Sequence, residues 1–403
     1  MLFVGVDWAE DHHDICLMDE QGKVLASKRV DDSLHGVAQV HTLLAPWADD
    51  PAQVVIGIET DRGLFVQSLL GSGYQVYAIN PLAVSHYRER HTIARAKSDP
   101  ADAKLLADVV RTDRHNHHPV AGDSEVAQAV KVLARSHQQL IWTRQRQVNQ
   151  LRSSLREFYP GVLSAFDDLD SRDALAILAI APSPDQGRRL SLSKIASTLR
   201  RAGRQRNVER TAAKIQVVLR TPQLEVPPVL ALAYANGVKA RVRVIVELST
   251  QIAVLEKDLT AQFEAHPDAE IITSLPGLGP VLGARVLAEF GDDPTRFADS
   301  KARKNYAGCS PITVASGRMR VVHARFPRKT RLVDVGFLWA FSSLTGSPGA
   351  RSYYDACRAR HQTHAQALRT LANRWFGILH GCLRHRTLYA EEAAWPQAKQ
   401  AAA

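Results

Sequence analysis

The sequence predicts an α/β N-terminal domain, then a region of long helices, then a mainly α C-terminal domain. Three observations carry this. Over the first 112 residues, short apolar runs alternate with helical patterns, as in a partly parallel sheet. Two later stretches place apolar residues every three or four positions over many turns, as amphipathic helices do. From Asp268 onward the chain opens on a Pro-Gly turn and ends in helices rich in Arg and Trp. A length of 403 residues accommodates two or three domains. The expected division is 1–120, 121–266 and 267–395, with an Ala-rich frayed tail at 396–403.

Residues 2–6 form a short apolar run ending in Asp7. Residues 14–18 and 23–30 follow, joined by the turn Glu20-Gln21-Gly22, and read as a hairpin. Residues 54–58 are continuously apolar and largely β-branched, the mark of a strand buried on both faces. A helix at 63–70 and a strand at 74–79 complete the first domain. Over 124–158, Val126, Val130, Leu133, His137, Leu140, Arg144, Val148, Leu151, Leu155 and Phe158 keep helical spacing, a rod of roughly 50 Å. Val238, Val242, Ile245, Leu248, Ile252, Leu255, Leu259 and Phe263 repeat the pattern. Two such helices predict a coiled-coil arm or hairpin, with a plain bundle as the alternative.

The formal net charge is +10, which suits a polyanionic partner, nucleic acid or an anionic membrane. No apolar run reaches the roughly 18 residues of a spanning helix. The N-terminus lacks a basic region and meets Asp7 early, unlike a signal peptide. Cys16, Cys309, Cys357 and Cys382 are scattered, with no C-x-x-C pair, so neither a disulfide framework nor a zinc site is expected. These points predict a cytoplasmic protein with a nucleic-acid partner and no membrane contact. Two basic tracts fit that partner. In the first, Arg188, Arg189, Lys194, Arg200, Arg201, Arg204, Arg206, Arg210, Lys214 and Arg220 face only Glu209 in sequence, a one-sided run suited to phosphates. In the second, residues 301–331, Lys301, Arg303, Lys304, Arg318, Arg320, Arg325, Arg328, Lys329 and Arg331 stand with no acid. The histidines of His115-Asn116-His117-His118 sit in a polar linker and read as a solvated loop.

The acids are more specific. Asp7 ends the first strand and Glu59 the fourth, and strand ends on one edge of a parallel sheet converge. Asp99 and Asp102 lie in Lys97-Ser98-Asp99-Pro100-Ala101-Asp102-Ala103. A helix starting at Pro100 makes Asp99 its N-cap, and residues three apart share a face. Each acid alone has a plainer reading, as a cap, a first-turn acid or a strand end. Together, four carboxylates repel unless a cation such as Mg²⁺ neutralises them, and such a cation also takes substrate phosphates.

Gly5-Val6-Asp7-Trp8-Ala9, Ile58-Glu59-Thr60 and the Lys97 to Ala103 motif resemble the N-terminal domain of bacterial DEDD insertion-sequence transposases, the IS-one-ten group. That resemblance implies a RuvC-like, ribonuclease H type of fold. It also implies that Asp7, Glu59, Asp99 and Asp102 bind Mg²⁺ or Mn²⁺. Many members follow the glutamate with Thr-Gly, whereas here Glu59-Thr60-Asp61-Arg62-Gly63 stands.

Further on, Leu275-Pro276-Gly277-Leu278-Gly279-Pro280 resembles a helix-hairpin-helix, whose Gly277 and Gly279 would admit a DNA phosphate at a helix N-terminus. A tight turn between packed helices is the alternative. Ala315-Ser316-Gly317-Arg318-Met319-Arg320 places a serine among arginines, where it could attack a phosphodiester, although Ser-Gly is also a common turn. The family has a C-terminal transposase domain with a later Ser-Gly whose serine is thought to link to DNA; carried over, this is Ser316. Tyr353 and Tyr354 beside Arg351 rank below it. Residues 160–265 carry no matching motif. The resemblance further implies a homo-oligomer, a tetramer, and a structured guide RNA. The expected function is therefore a site-specific DNA recombinase. Its rivals are a junction-resolvase-like nuclease using the acids alone, an actin-like kinase or ATPase, and a non-enzymatic nucleic-acid binder. No G-x-x-x-x-G-K-[ST] loop is present.

Overall fold

The structure, a computed structural model, describes residues 1–91, 98–117, 119–120, 122–317, 319–323, 325 and 328–396. Lys97, His118, Arg318 and nearly all of the tail at 396–403 lie outside the described residues. The chain divides into two compact units, Met1–Gly122 and Asp123–Ala403.

The first unit is built on one sheet. Strand β1 (Leu2–Trp8) turns directly into β2 (His12–Met18), and β3 (Val24–Asp31) follows; α1 (Leu34–Leu44) leads on to β4 (Val54–Ile58). After it come α2 (Leu64–Gly71), β5 (Gln75–Ala78), α3 (Pro81–His91) and α4 (Asp99–Thr112). The strand order is β3-β2-β1-β4-β5. The first three strands pair antiparallel, and β1, β4 and β5 pair parallel. Every residue of β4 is buried, as its continuous apolar run requires. Strand alternation splits the sheet's side chains between two cores. Leu2, Val4, Val6, Val54, Ile56 and Ile58 pack with α1 and α2. Phe3, Met18 and Val55 pack with Leu106, Val109 and Val110 of α4.

Two glycines let α4 lie close on that second face. Gly5 and Gly57 are cross-strand partners on β1 and β4. A Cβ at Gly5 would overlap the Ala103 carbonyl oxygen, and one at Gly57 would fall 2.7 Å from that of Leu106. The expected cap of α4 is corrected: Ser98 is the N-cap residue, and the Asp102 amide donates to its carbonyl. Asp99 is therefore the first helical residue, one position inside the expected place. Neither α1 nor α3 was foreseen.

In the second unit, α5 (Glu125–Phe158) and α11 (Pro228–Glu264) are the two long helices. Between them come α6 (Pro160–Ala165), α7 (Arg172–Ile180), α8 (Pro184–Arg189), α9 (Leu192–Arg201) and α10 (Val208–Arg220). The long helices run antiparallel. Val130 and Ala134, early in α5, share a core with Leu259 and Phe263, late in α11. Val148, Leu151 and Leu155 share another with Val238, Val242 and Ile245, and α6 to α10 close over it. Helix α11 starts ten residues before the apolar repeat at Val238 because Pro228 suits a first helical turn.

The other core gathers α12 (Ala269–Thr273), α13 (Pro280–Phe290), α14 (Ser300–Ala307), α15 (Thr330–Gly346), α16 (Pro348–Ala359), α17 (His364–His385) and α18 (Glu391–Ala394). Its centre is the stacked pair Trp339 and Trp375, with ring centroids 5.3 Å apart. An exposed hairpin interrupts these helices: β6 (Ile312–Ser316) pairs with β7 (Met319–His323).

Candidate active site

The carboxyl end of β1 gathers acids because alternation and register leave little choice. Phe3, Gly5 and Asp7 point to one face of β1, and Val55, Gly57 and, one residue past the strand, Glu59 continue the same face of β4. Asp14 stands directly opposite Asp7 in the antiparallel register, so their side chains share that face. Helix α4 covers it, and Asp102 lies on the sheet-facing side with Ala103, Leu106 and Val109. Asp102 is 3% exposed. Asp99 sits one turn earlier at the exposed start of α4. The structure therefore brings Asp7, Glu59, Asp99 and Asp102 to one end of the sheet.

Sequence reasoning missed a fifth acid and three other groups. Asp14 is 7% exposed. The guanidinium of Arg29, its cross-strand neighbour, donates to Asp14 at 2.6 Å and reaches Asp99 at 3.3 Å. The Asp14 carboxylate, aided by Asp99, holds Arg29 above its ordinary pKa. On α3, Arg88 donates through Nη2 and Nε to one oxygen of Asp102, at 2.7 and 3.0 Å. His12, two residues before Asp14 and on the same face, completes the group. Donor atoms of His12, Asp14 and Asp99 all lie within 4.8 Å of one another. The short reversal between Trp8 and His13 was the available signal, since it places position 14 opposite position 7.

Carboxylate oxygens with one imidazole fit a hard divalent cation. The two arginines supply positive charge at the same acids, which could not otherwise be buried together. Such a site can bind a cation and, through it, a phosphate.

The remaining predicted residues lie in the second unit. Ser316 ends β6 at the exposed hairpin tip, paired with Met319. Gly317 takes φ +57°, which a tight reversal favours and which a side chain adopts only with strain. Arg320 pairs with Ala315, so it projects from the face opposite Ser316. Arg325 is half-buried, and Lys301 is exposed.

Gly277 has φ +83°, and a Cβ there would fall 2.7 Å from the Ser343 amide nitrogen of α15. Its glycine is thus required by helix packing, which Trp339 reinforces by donating to the Pro276 carbonyl at 2.9 Å. Gly279 has open space beside it at the start of α13.

The basic tract from Arg188 is less one-sided than its sequence. Arg188 pairs with Asp185 and Glu225, Arg200 with Glu209, and Arg204 with Asp173. Arg189, Arg201 and Arg206 are exposed. Among the described residues, no helix is long and apolar enough to cross a membrane.

A mixed sheet with acids gathered at the ends of its parallel strands, joined to a basic helical unit, is an α/β arrangement suited to a polyanionic partner. Comparison with known proteins gives the particular group. A transposase family profile matches residues 4–160, and the profile of the IS116/IS110/IS902 transposase family matches residues 269–355. The "Mini-circle putative transposase for IS117" of Streptomyces coelicolor is 43% identical over 407 residues, covering 100% of this chain and 98% of that protein. The insertion element IS900 uncharacterized 42 kDa protein of Mycobacterium paratuberculosis is 28% identical, covering 96% of this chain and 97% of that protein. The chain belongs to the IS116/IS110/IS902 family of insertion-sequence transposases, enzymes that cut and rejoin DNA.

Proposed function

We propose that this transposase recombines DNA through two groups of residues, a metal-binding acid set in the first unit and a serine nucleophile in the second. Asp7, Glu59, Asp99 and Asp102 hold Mg²⁺ or Mn²⁺, and Ser316 is the nucleophile. The observation that carries the reading is the convergence of the four acids at the carboxyl ends of β1 and β4. The strand order, with three antiparallel strands followed by parallel ones, supports a RuvC-like fold for the first unit.

Asp7, Glu59, Asp99 and Asp102 would hold a divalent ion, which would supply charge neutralisation at the scissile phosphate. The chain's own residues do the rest. Asp102 is held by Arg88 in one orientation on the sheet-facing side of α4. Asp14 and Arg29 fix the start of α4 and with it Asp99. The Ser316 hydroxyl forms the bond to phosphorus, the sugar oxygen of the cut strand leaves, and the serine proton passes to that oxygen. A hydroxyl from another strand end then displaces Ser316, which regains a proton. Bond energy is conserved, so no nucleotide cofactor is needed. The division into 1–120, 121–266 and 267–395, assembly as a homotetramer and guidance by a structured RNA belong to the same reading. So does a cytoplasmic location.

The test is strand exchange in cells. Asp102→Asn and Ser316→Ala are each expected to abolish recombination, and wild-type reactions to leave a covalent protein–DNA adduct that Ser316→Ala lacks. Full recombination by Ser316→Ala removes the serine step. Persistence in Asp102→Asn removes the metal assignment.

A further inference from the structure

Helix α15 turns an apolar patch to solvent. Phe337 and Phe341 are 38% and 56% exposed, whereas every other described phenylalanine is buried. Leu338 is exposed beside them. Residues three and four apart share a helix face, so the three side chains are contiguous. An apolar patch of this kind marks an interaction surface.

The patch has a fixed centre. The ring centroids of Phe337 and Phe341 each lie 6.2 Å from that of His364, with the ring planes at 87° and 88° to the imidazole. Tyr354 of α16 meets the same imidazole at 5.9 Å, and its hydroxyl lies 2.8 Å from His364 Nδ1. His364 is the first residue of α17, held there by the capping box of Thr363 and Gln366. Three helices thus gather three rings around a fourth at the surface. Side chains ordered in advance lose less freedom when a ligand covers them.

Charge selects the occupant. Over residues 351–369, which span α16 and the start of α17, four arginines meet one acid, Asp355. That acid is paired with Arg351. Arg358 stands one turn after Tyr354 on α16 and donates to the Gln362 carbonyl, two residues before His364. On α15, Asp334 accepts from Gln138. A second copy of a chain with net charge +10 would set like charge against this rim. Nucleic acid brings the opposite charge, and its bases have flat faces that stack on aromatic side chains. Bases inside a duplex are already stacked on one another, so only unpaired bases reach the rings.

We propose that Phe337 and Phe341, with Tyr354 and His364, form a stacking platform for unpaired bases of the nucleic acid this transposase handles. Arg358 supplies charge for the adjoining phosphate. The inference rests on the chain acting on nucleic acid, and not on the metal site or on Ser316.

The test reads binding rather than strand exchange, so its failure and the failure of the catalytic reading are separable. The full chain is titrated with a short single-stranded DNA carrying a fluorescent adenine analogue, and with the duplex of the same sequence. Phe341→Ala is expected to bind the single strand about 5- to 100-fold more weakly, the range for one lost base stack, and the duplex as before. The loss should be the same at every salt concentration, since no phosphate contact goes with the ring. Phe341→Trp should keep the affinity, because it keeps a ring. The analogue's emission should be quenched by the unmodified chain and by Phe341→Trp, and less by a variant carrying both Phe337→Ala and Phe341→Ala. Both rings are exposed, so these variants should melt with the unmodified chain. An unchanged affinity of Phe341→Ala for the single strand overturns the inference. Equal losses on strand and duplex overturn it too, and a smaller particle in sedimentation would then assign the patch to contact between copies of the chain.

Discussion

Arg88 and Asp102 show how one pair of side chains can set both stability and chemistry. Asp102 is buried against the sheet, and Arg88 is its cation. Replacing Arg88 by Ala leaves a buried carboxylate among other acids, a loss of about 3–5 kcal/mol for a buried pair broken on one side. Urea melts should show that loss without divalent ions. Mg²⁺ should return part of it, and more in the variant than in the wild type, because a ligand that binds only the folded state stabilises it by mass action. No recovery with Mg²⁺ would mean that Asp102 faces no cation site. A second residue carries a pH dependence. His137 on α5 is 1% exposed, and burial, with Arg285 and Arg144 beside it, lowers its pKa to about 4. The folded state thus binds fewer protons than the unfolded one between that value and 6.5. Stability is therefore complete above pH 6.5 and falls as pH drops toward 4, by about 3 kcal/mol. His137→Gln should flatten this part of the profile, and an identical profile would sink the assignment. The positions of Asp7, Glu59, Asp99 and Asp102 at strand ends and a helix start were legible in sequence, while a metal-binding role for them came only from the family resemblance. Arg29, Arg88 and Asp14 were not legible, because each is defined by a partner from 7 to 70 residues away.

At the scale of elements, two glycines decide where α4 lies. Gly5 and Gly57 remove the side chains that would otherwise hold it off the sheet. Gly5→Ala must push α4 away, with losses of 1–3 kcal/mol or more typical of overpacking. Recombination should fall with it, since Asp102 rides on the displaced helix. Gly237 lies inside α11 with nothing within 4 Å of its Cβ position. Gly237→Ala should therefore stabilise, by roughly 0.5–1 kcal/mol. Chemical denaturation of both variants checks the pair, and a neutral Gly5→Ala would contradict the packing described. The long helices were readable because their repeat is local. Helices α1 and α3 were not, since α1 carries only four buried positions and α3 begins at a proline that reads equally well as a turn. The basic tract on α8 to α10 misled for the same reason. Asp173, Asp185 and Glu225 lie outside it in sequence and beside it in space.

Over the whole molecule, each unit closes cores of its own. The sheet's two cores are made from residues within the first 122, and the helical cores from residues beyond. Composition could announce a polyanionic partner, because net charge sums over the chain regardless of pairing. It could not say which charges remain available, since pairing is a property of the fold. Separate cores have a thermodynamic consequence, because chains with several domains depart from two-state unfolding. Calorimetry is expected to resolve two transitions. Arg88→Ala should lower only the one belonging to the first unit. His137→Gln, measured near pH 5, should raise only the other, since it removes a group whose protonation favours the unfolded state there. The two substitutions lie in separate units with separate cores, so their effects in the double variant should add within about 0.3–0.5 kcal/mol. A single transition that both substitutions move would show that the two units melt as one cooperative block.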